Sequence, residues 1–585
     1  MTASNALDHL HDERYGDSFD RRNLDHRSWL FVGGRRRQSL AGTWRLTPDL
    51  FEEGLRQHWY RLDGTPPDAR TKPWDGHPDE GYDVRVPSCW TLARPEWRHF
   101  EGSAWLSRHF RAPRRADGER IFLRIGAANY DTKVFLNGVF LGSHRGGSTP
   151  FVVELTRVLR DDNRLDLCVD NARRPDRVPM HHFDWFNYAG VYRAVDLIRT
   201  PAIFVRDLAV RWIDGAVEVE VEVSDGATGI ARFEIPELRV AFDVAIAGGR
   251  GRARAKASPR LWSPADPKLY DATLAFGADR VADRIGFRTI ATRDAQILLN
   301  GAPIRLKGVC VHEDDLRLGK ATSDADIRRR FRHARALGCN FLRLAHYPHH
   351  ERVAELADAE GLLLWAEVPV YWAVDFANPR TYRDAENQLV ELIRRDRNRA
   401  SVIVWSVGNE NADTRERLSF MRRLASAARR WDPTRLVSAA CLVNKAKKRI
   451  EDRLVRHLDV VGINEYYGWY DEDVGDLLAI GRNSRVGKPV IITEVGAEAP
   501  AGRRGRPDAL FTEDKMVAVY RAQVDAVGRM DGVAGMTPWL LYDFRSERRQ
   551  NRFQRGFNCK GLIAADKKTR KRAFAVLRDF YRRWR

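Results

Sequence analysis

Ser401–Asn411 reads SVIVWSVGNEN, and how it is read decides the fold. Val402, Ile403, Val404, Trp405 and Val407 are apolar and mostly β-branched, and the run breaks off into Gly408-Asn409-Glu410. An unalternating apolar run of this length is the signature of a strand buried on both faces, as inside a parallel sheet. A carboxylate directly at the C-terminal end of such a strand stands where barrel enzymes keep their chemistry. Taken alone, Asn409-Glu410 would as readily open an ordinary loop, so the flanking sequence has to decide.

From about Thr292 the chain alternates strand and helix patterns. Strands are expected at Ile304–Val311, Asn340–Leu344, Leu362–Ala366, Val402–Val407, Leu436–Ala440, Val460–Ile463, Val490–Thr493 and Val533–Trp539. Helical periodicity falls at Asp324–Leu337, His350–Glu360, Asn387–Arg395, Glu416–Arg430 and Glu513–Val527. Eight such units over ~250–300 residues predict a (β/α)8 TIM barrel spanning 292–585. A doubly wound sheet competes, but no Gly-rich dinucleotide fingerprint follows an early strand.

Upstream the pattern is all β. Residues 1–39 are polar and patternless, an N-terminal extension. Across 40–200, short alternating runs recur, among them Thr132–Leu136 and Val139–Leu141 around Asn137-Gly138, a strong hairpin signal. This segment predicts a β-sandwich of jelly-roll, sugar-binding type. It contains His181–Arg193, HHFDWFNYAGVYR, dense in aromatic and polar groups. Residues 201–291 predict a smaller, immunoglobulin-like β-sandwich.

Of 585 residues, 43% are hydrophobic, ample for several cores, and no apolar run reaches the ~20 residues of a membrane-spanning helix. The polar start at Met1 lacks a signal-peptide core, and the six cysteines (Cys89, Cys168, Cys310, Cys339, Cys441, Cys559) show no paired spacing. Both suit a cytoplasmic protein with free thiols. The net charge of +19 sits in short clusters such as Arg35–Arg37 and Lys445–Arg449, not interleaved with aromatics. That ranks solvated surface first, attraction of acidic ligands second and nucleic acid last. The adjacent pairs His181-His182 and His349-His350 are not ligand spacings, so no metal or cofactor is expected. Oligomeric state stays open, a homo-oligomer included.

With the barrel register above, the strand ends carry His312-Glu313-Asp314, Arg343 and His346, Glu367, Asn409-Glu410, Asn464 and Tyr466, Glu494, and Trp539. Glu410 after the fourth strand and Glu494 after the seventh are the telling pair. Two carboxyls facing each other across a pocket permit glycoside hydrolysis: one protonates the leaving oxygen, the other attacks or activates water. Repulsion and partial burial separate their pKa values, so both forms coexist near neutrality.

The chain resembles glycoside hydrolase family 2 and, within it, the β-glucuronidases. The resemblance runs from Gly42-Thr43-Trp44 to the C-terminal helix, through VPSCW (Val86–Trp90), HRGGSTPF (His144–Phe151), LWSPADPKLY (Leu261–Tyr270), LNGAPIRLKGVCVHEDD (Leu299–Asp315), RLAHYP (Arg343–Pro348) and WSVGNEN. It implies an exo-acting, retaining enzyme with Glu410 as acid/base and Glu494, in ITEVG, as nucleophile. It also implies Asn409 on the sugar 2-hydroxyl, Tyr466 of NEYYGWY donating to the nucleophile, and Tyr470 of the same motif on the substrate. Asp184 of HFDWFNYAG would meet the far hydroxyls, and His312 and Trp539 would line the sugar subsite. Asn558-Cys559-Lys560 matches the Asn-x-Lys motif with which glucuronidases hold the C6 carboxylate; a neutral hexoside would leave Lys560 unpaired and desolvated. The expected partner is therefore a small-molecule or oligosaccharide uronide.

Some positions depart from the family pattern. Gln554 stands where relatives often carry arginine, with Arg552 and Arg555 nearby; Glu465 is unusual beside Tyr466; and Glu367–Asn387 lacks a long aglycone-covering insertion. The alternatives are a β-galacturonidase or β-galactosidase of the same family, or a carbohydrate- or nucleic-acid-binding protein with a decayed barrel. Retention of both Glu410 and Glu494 weighs against decay.

Overall fold

The structure, a computed structural model, describes residues 23–61, 81–471, 473–484 and 486–584. Eight parallel strands close into a barrel: Leu306–Val311 (β1), Phe341–Leu344 (β2), Leu363–Glu367 (β3), Val402–Asn409 (β4), Leu436–Cys441 (β5), Val461–Asn464 (β6), Val490–Glu494 (β7) and Val533–Met536 (β8). Leu306 and Lys307 pair with Gly535 and Met536, which closes the ring. Every residue of β4 is buried, which is why its sequence shows no alternation. β8 stops at Met536, earlier than its apolar run suggests, so Trp539 lies on the loop beyond it.

Helices cover the barrel with ends written in the sequence. Asp324–Leu337 starts in a reciprocal capping box between Ser323 and Asp326 and stops at Gly338 in the left-handed region, φ 94°. The helix expected at Asn387–Arg395 spans Pro379–Asp396, with Asn378 as cap and Pro379 in its first turn. Its first half shows little apolar period because its buried face is polar. Asp384 accepts from the Tyr130 hydroxyl at 2.6 Å, and Gln388 donates to the Val178 carbonyl at 2.9 Å, both on the first sandwich.

That sandwich sets a six-stranded antiparallel sheet against a four-stranded one over a core including Trp44, Trp90, Leu106, Ile125 and Leu167. The hairpin Asp131–Leu136/Val139–Arg145 turns through Asn137 (φ 52°) and Gly138 (φ 81°), the left-handed pair that a two-residue turn requires. Residues 23–39 are packed against the body of the protein: Leu24, Trp29 and Leu30 are buried, and Arg37–Ser39 pairs with Val195–Thr200. The extension as read from sequence therefore docks over this part, and residues 1–22 lie outside those described. A second sandwich of three- and four-stranded sheets encloses Val219, Phe233, Tyr270 and Leu274.

Buried ion pairs fix both sandwiches to the barrel. Arg193 meets Glu313 at 3.0 Å, and Arg394 meets Asp207 at 2.9 Å. Because such pairs gain little net stability but strongly penalise misplacement, their main effect is to fix orientation. From the first sandwich the segment His181–Arg193 reaches the C-terminal face of the barrel. There the Phe186 N–H donates to the Arg545 carbonyl at 3.1 Å, and Arg545 donates to the Tyr188 hydroxyl at 2.9 Å.

Candidate active site

At the end of β4 the backbone is tightly held. A Cβ on Gly408 would lie 2.4 Å from the Met421 methyl and 2.6 Å from Asn411 Oδ1, so a larger residue would have to displace both side chains. The loop after β3 pairs with this end: Asn409 N–H donates to the Val370 carbonyl at 2.9 Å, and Trp372 N–H to the Asn409 carbonyl at 2.8 Å. Glu410 follows in the left-handed region (φ 52°), an uncommon state for a non-glycine residue and one that recurs at functional positions. Its Oε2 accepts from the Trp372 indole N–H at 2.7 Å. Burial first, and then the charge of Glu494, push the Glu410 carboxyl above its ordinary pKa.

Glu494, the last residue of β7, accepts on both oxygens: from Arg343 Nη1 at 2.8 Å and from the Tyr466 hydroxyl at 2.6 Å. A carboxylate accepts on both sides, whereas a neutral acid would turn one oxygen into a donor. Arg343, fully buried at the end of β2, also donates to Glu367 at 3.1 Å and to Asn409 Oδ1 at 2.7 Å. Burial alone would raise the Glu367 pKa; Arg343, then the hydrogen bond from His346, hold it down to about 2. Asn409 Oδ1 takes a further bond from Asn464 at 3.1 Å, and among the described residues its buried Nδ2 has no hydrogen-bond partner.

Both carboxyls line one cavity of about 380 Å³, together with Tyr371, Trp372, Asn464, Tyr466, Tyr470, Trp539, Arg548, Arg549, Asp184, Asn558 and Lys560. Its far end is a charged cage. Arg549 grips both Asp184 oxygens, one through Nε at 3.2 Å, and the Ser546 hydroxyl donates to the same carboxylate. Lys560 Nζ donates to the Tyr470 hydroxyl at 2.9 Å and to Glu498 at 3.3 Å, while Arg549 Nη1 reaches the same hydroxyl at 3.3 Å. The expectation that a neutral hexoside would leave Lys560 unpaired does not hold, because Glu498 already pairs with it.

Of the sequence-derived candidates, Glu410, Glu494, Asp184, Tyr466, Tyr470, Trp539, Asn558 and Lys560 share this cavity. His312 stands behind its wall, edge-on to Trp539 (5.1 Å) and stacked on Phe544 (4.3 Å), with Nδ1 tied to the Tyr347 hydroxyl at 3.0 Å. Burial holds its imidazole far below the usual pKa, so it packs as a neutral ring under the tryptophan. Asn409 lies beneath Glu410, 2% exposed. Sequence reasoning missed Trp372, Arg548, Arg549 and Glu498. Gln554 forms no part of the lining, and the cation at this end comes instead from Arg549, in a polar run that gives no periodic signal. Glu465 is buried under the Tyr466 loop, accepting from the Tyr467 N–H at 3.1 Å and Gln523 at 3.0 Å. Among the described residues no His, Cys, Asp or Glu group suited to a metal occurs, and no helix is long and apolar enough to cross a membrane.

Known proteins share this architecture throughout. Family models match consecutively: the glycosyl hydrolases family 2 sugar-binding domain at 37–201, the glycosyl hydrolases family 2 domain at 204–288, and the family's TIM barrel domain at 290–584. A β-glucuronidase of Paenibacillus borealis is 30% identical, covering 87% of this chain and 91% of its own. That of Homo sapiens is 28% identical over 93% and 90%. A solved β-galacturonidase from Eisenbergiella tayi, bound to galacturonate, superposes with TM-score 0.81 at 26% identity, covering 96% of this chain and 99% of its own. An uncultured Clostridium sp. β-glucuronidase gives the same TM-score and identity over 94% and 98%. The chain therefore belongs to glycoside hydrolase family 2 and is a glycosidase.

Proposed function

We propose that this enzyme removes terminal β-D-glucuronic acid from its substrates by double displacement with retention of configuration. One observation carries the reading: the cavity that holds Glu410 and Glu494 is also lined by Lys560, Arg549, Asn558 and Tyr470. Each cation there already has a carboxylate partner, but Lys560 and Arg549 converge on the Tyr470 hydroxyl, and with the Asn558 amide they gather hydrogen-bond donors that favour a sugar carrying a carboxylate. Closure of that part of the cavity by Asp184, from another part of the chain, suits a terminal sugar rather than an internal one.

Glu494 attacks the anomeric carbon; Arg343 and Tyr466 orient its oxygens. Glu410, whose raised pKa favours the protonated form, donates to the departing oxygen and then takes a proton from water. Asn409 Nδ2, without a partner among the described residues, is the donor for the sugar 2-hydroxyl, a bond that strengthens as charge develops at the anomeric centre. Trp539 gives the ring an apolar face. A cytoplasmic location agrees with six free, buried cysteines.

The likeness to a galacturonidase supports a second reading, β-galacturonide cleavage. Hydrolysis of p-nitrophenyl β-glucuronide, β-galacturonide and β-galactoside side by side tests both. Turnover of the glucuronide well above the other two is expected. A galacturonide preference exchanges the first reading for the second, and a galactoside preference overturns both.

A further inference from the structure

Among the described residues the cations that line the cavity are each paired with a carboxylate, with one exception. Asp184 is matched by Arg549 and Lys560 by Glu498. At the rim Lys445 holds both Asp471 oxygens at 2.8 Å, and Glu494 is matched by Arg343. Arg548 lines the same cavity, is exposed, and pairs with no carboxylate among the described residues. Its guanidinium lies 4.5 Å above the ring of Trp372, whose indole N–H bonds Glu410. A proton donor stands by definition beside the leaving group, so Trp372 and Arg548 flank the aglycone, not the uronic acid. Leu442, 41% exposed, and Val443 line the same cavity and add apolar surface.

We infer that Arg548, braced on Trp372, forms an aglycone subsite that selects leaving groups bearing a negative charge, such as an aryl carboxylate or a second acidic sugar. The inference rests on the uronidase reading above. The stacked ring holds the guanidinium in place, which lowers the entropy lost on engaging an anion. The flanking pairs are already neutralised, so an incoming carboxylate meets one uncompensated positive charge.

The test compares 4-carboxyphenyl and 4-carbamoylphenyl β-glucuronides, which differ in charge but little in shape, for the wild type, Arg548→Ala and Arg548→Lys at low and physiological salt. The expected wild-type preference in kcat/KM for the carboxylate is about fivefold, shrinking with salt. Arg548→Ala should abolish that preference, and Arg548→Lys should keep part of it. Equal loss by Arg548→Ala on both substrates would mean that the residue only steadies Trp372, and overturns the subsite; so does a wild type with no preference. Wild-type turnover of neither glucuronide nor of the matching galacturonides overturns the uronidase reading itself, and the subsite with it.

Discussion

Around Glu494, the residues Arg343, Asn409, Asn464 and Glu494 come from the C-terminal ends of β2, β4, β6 and β7 and bond directly to one another. At the far end, Asp184 arrives from the first sandwich, while Ser546, Arg549, Asn558 and Lys560 come from the segment after β8. The first cluster is set by strand register, which cannot slip without unpairing the barrel. The second is set by loops that are joined by one short strand pair, Phe544–Arg545 with Phe557–Asn558, and by their own ion pairs. Under the proposed function the chemistry falls to the part set by strand register, and the choice of sugar to the part set by loops. Substitutions in the two parts should therefore fail differently.

The largest effect is expected in the strand-set part. Under the proposed mechanism Glu494→Gln removes the nucleophile and should lower kcat by on the order of 10⁴ on every glycoside, independent of its C6 group. Near-normal turnover would return Glu494 to a structural role. Glu410→Ala should lower kcat by about 10²–10⁴ on poor leaving groups and far less on activated ones. Azide should rescue it as the β-glycosyl azide; an α-azide would mean inversion. Because the raised pKa keeps Glu410 protonated to higher pH, the wild type should lose activity on the alkaline side as this proton leaves. That alkaline limb should vanish in the alanine variant with an activated substrate.

In the loop-set part the effect should be smaller and selective. Lys560→Ala should lower kcat/KM about 10–100-fold on p-nitrophenyl β-glucuronide while sparing the glucoside. The single variant also strands Glu498, 1% exposed, without its cation, so Lys560→Ala/Glu498→Gln is the fair comparison. Equal losses on both sugars in the double variant would remove the carboxylate from the function of Lys560.

The same contrast explains what the sequence revealed. Glu410 and Glu494 were legible because apolar runs fix the strands, and an end residue follows from the run. Asp184 and Lys560 were reached only through family resemblance, since nothing in local pattern joins positions 184 and 560. Arg549 and Trp372 escaped both routes. They lie in polar or irregular loops whose partners are set by tertiary contact, and a polar loop carries no period to read. His312 shows the converse limit: a strand-end residue in the right register can still face the core once a tryptophan from the next loop covers it.

The smallest and most local effect is expected where the two parts meet, beneath Tyr466. Glu465 sits in the loop that carries this donor, and its N–H bonds the Glu494 carbonyl at 2.9 Å. Burial without a cation pushes its carboxyl up to about 8, while Tyr467 N–H and Gln523 hold it back only in part. One oxygen has no partner among the described residues. With the folded pKa above the unfolded one, the native state binds the extra proton. The stability this gives is complete below about pH 4.3 and declines as pH rises towards 8. Glu465→Gln keeps the donors satisfied and removes the titration, so its Tm should match the wild type near pH 4 and exceed it by ~2–5 °C at pH 8. A difference that does not change with pH would show that Glu465 does not titrate over this range. A fall in kcat at unchanged KM would instead show that its charge positions Tyr466, tying the loop to the strand-set part of the site.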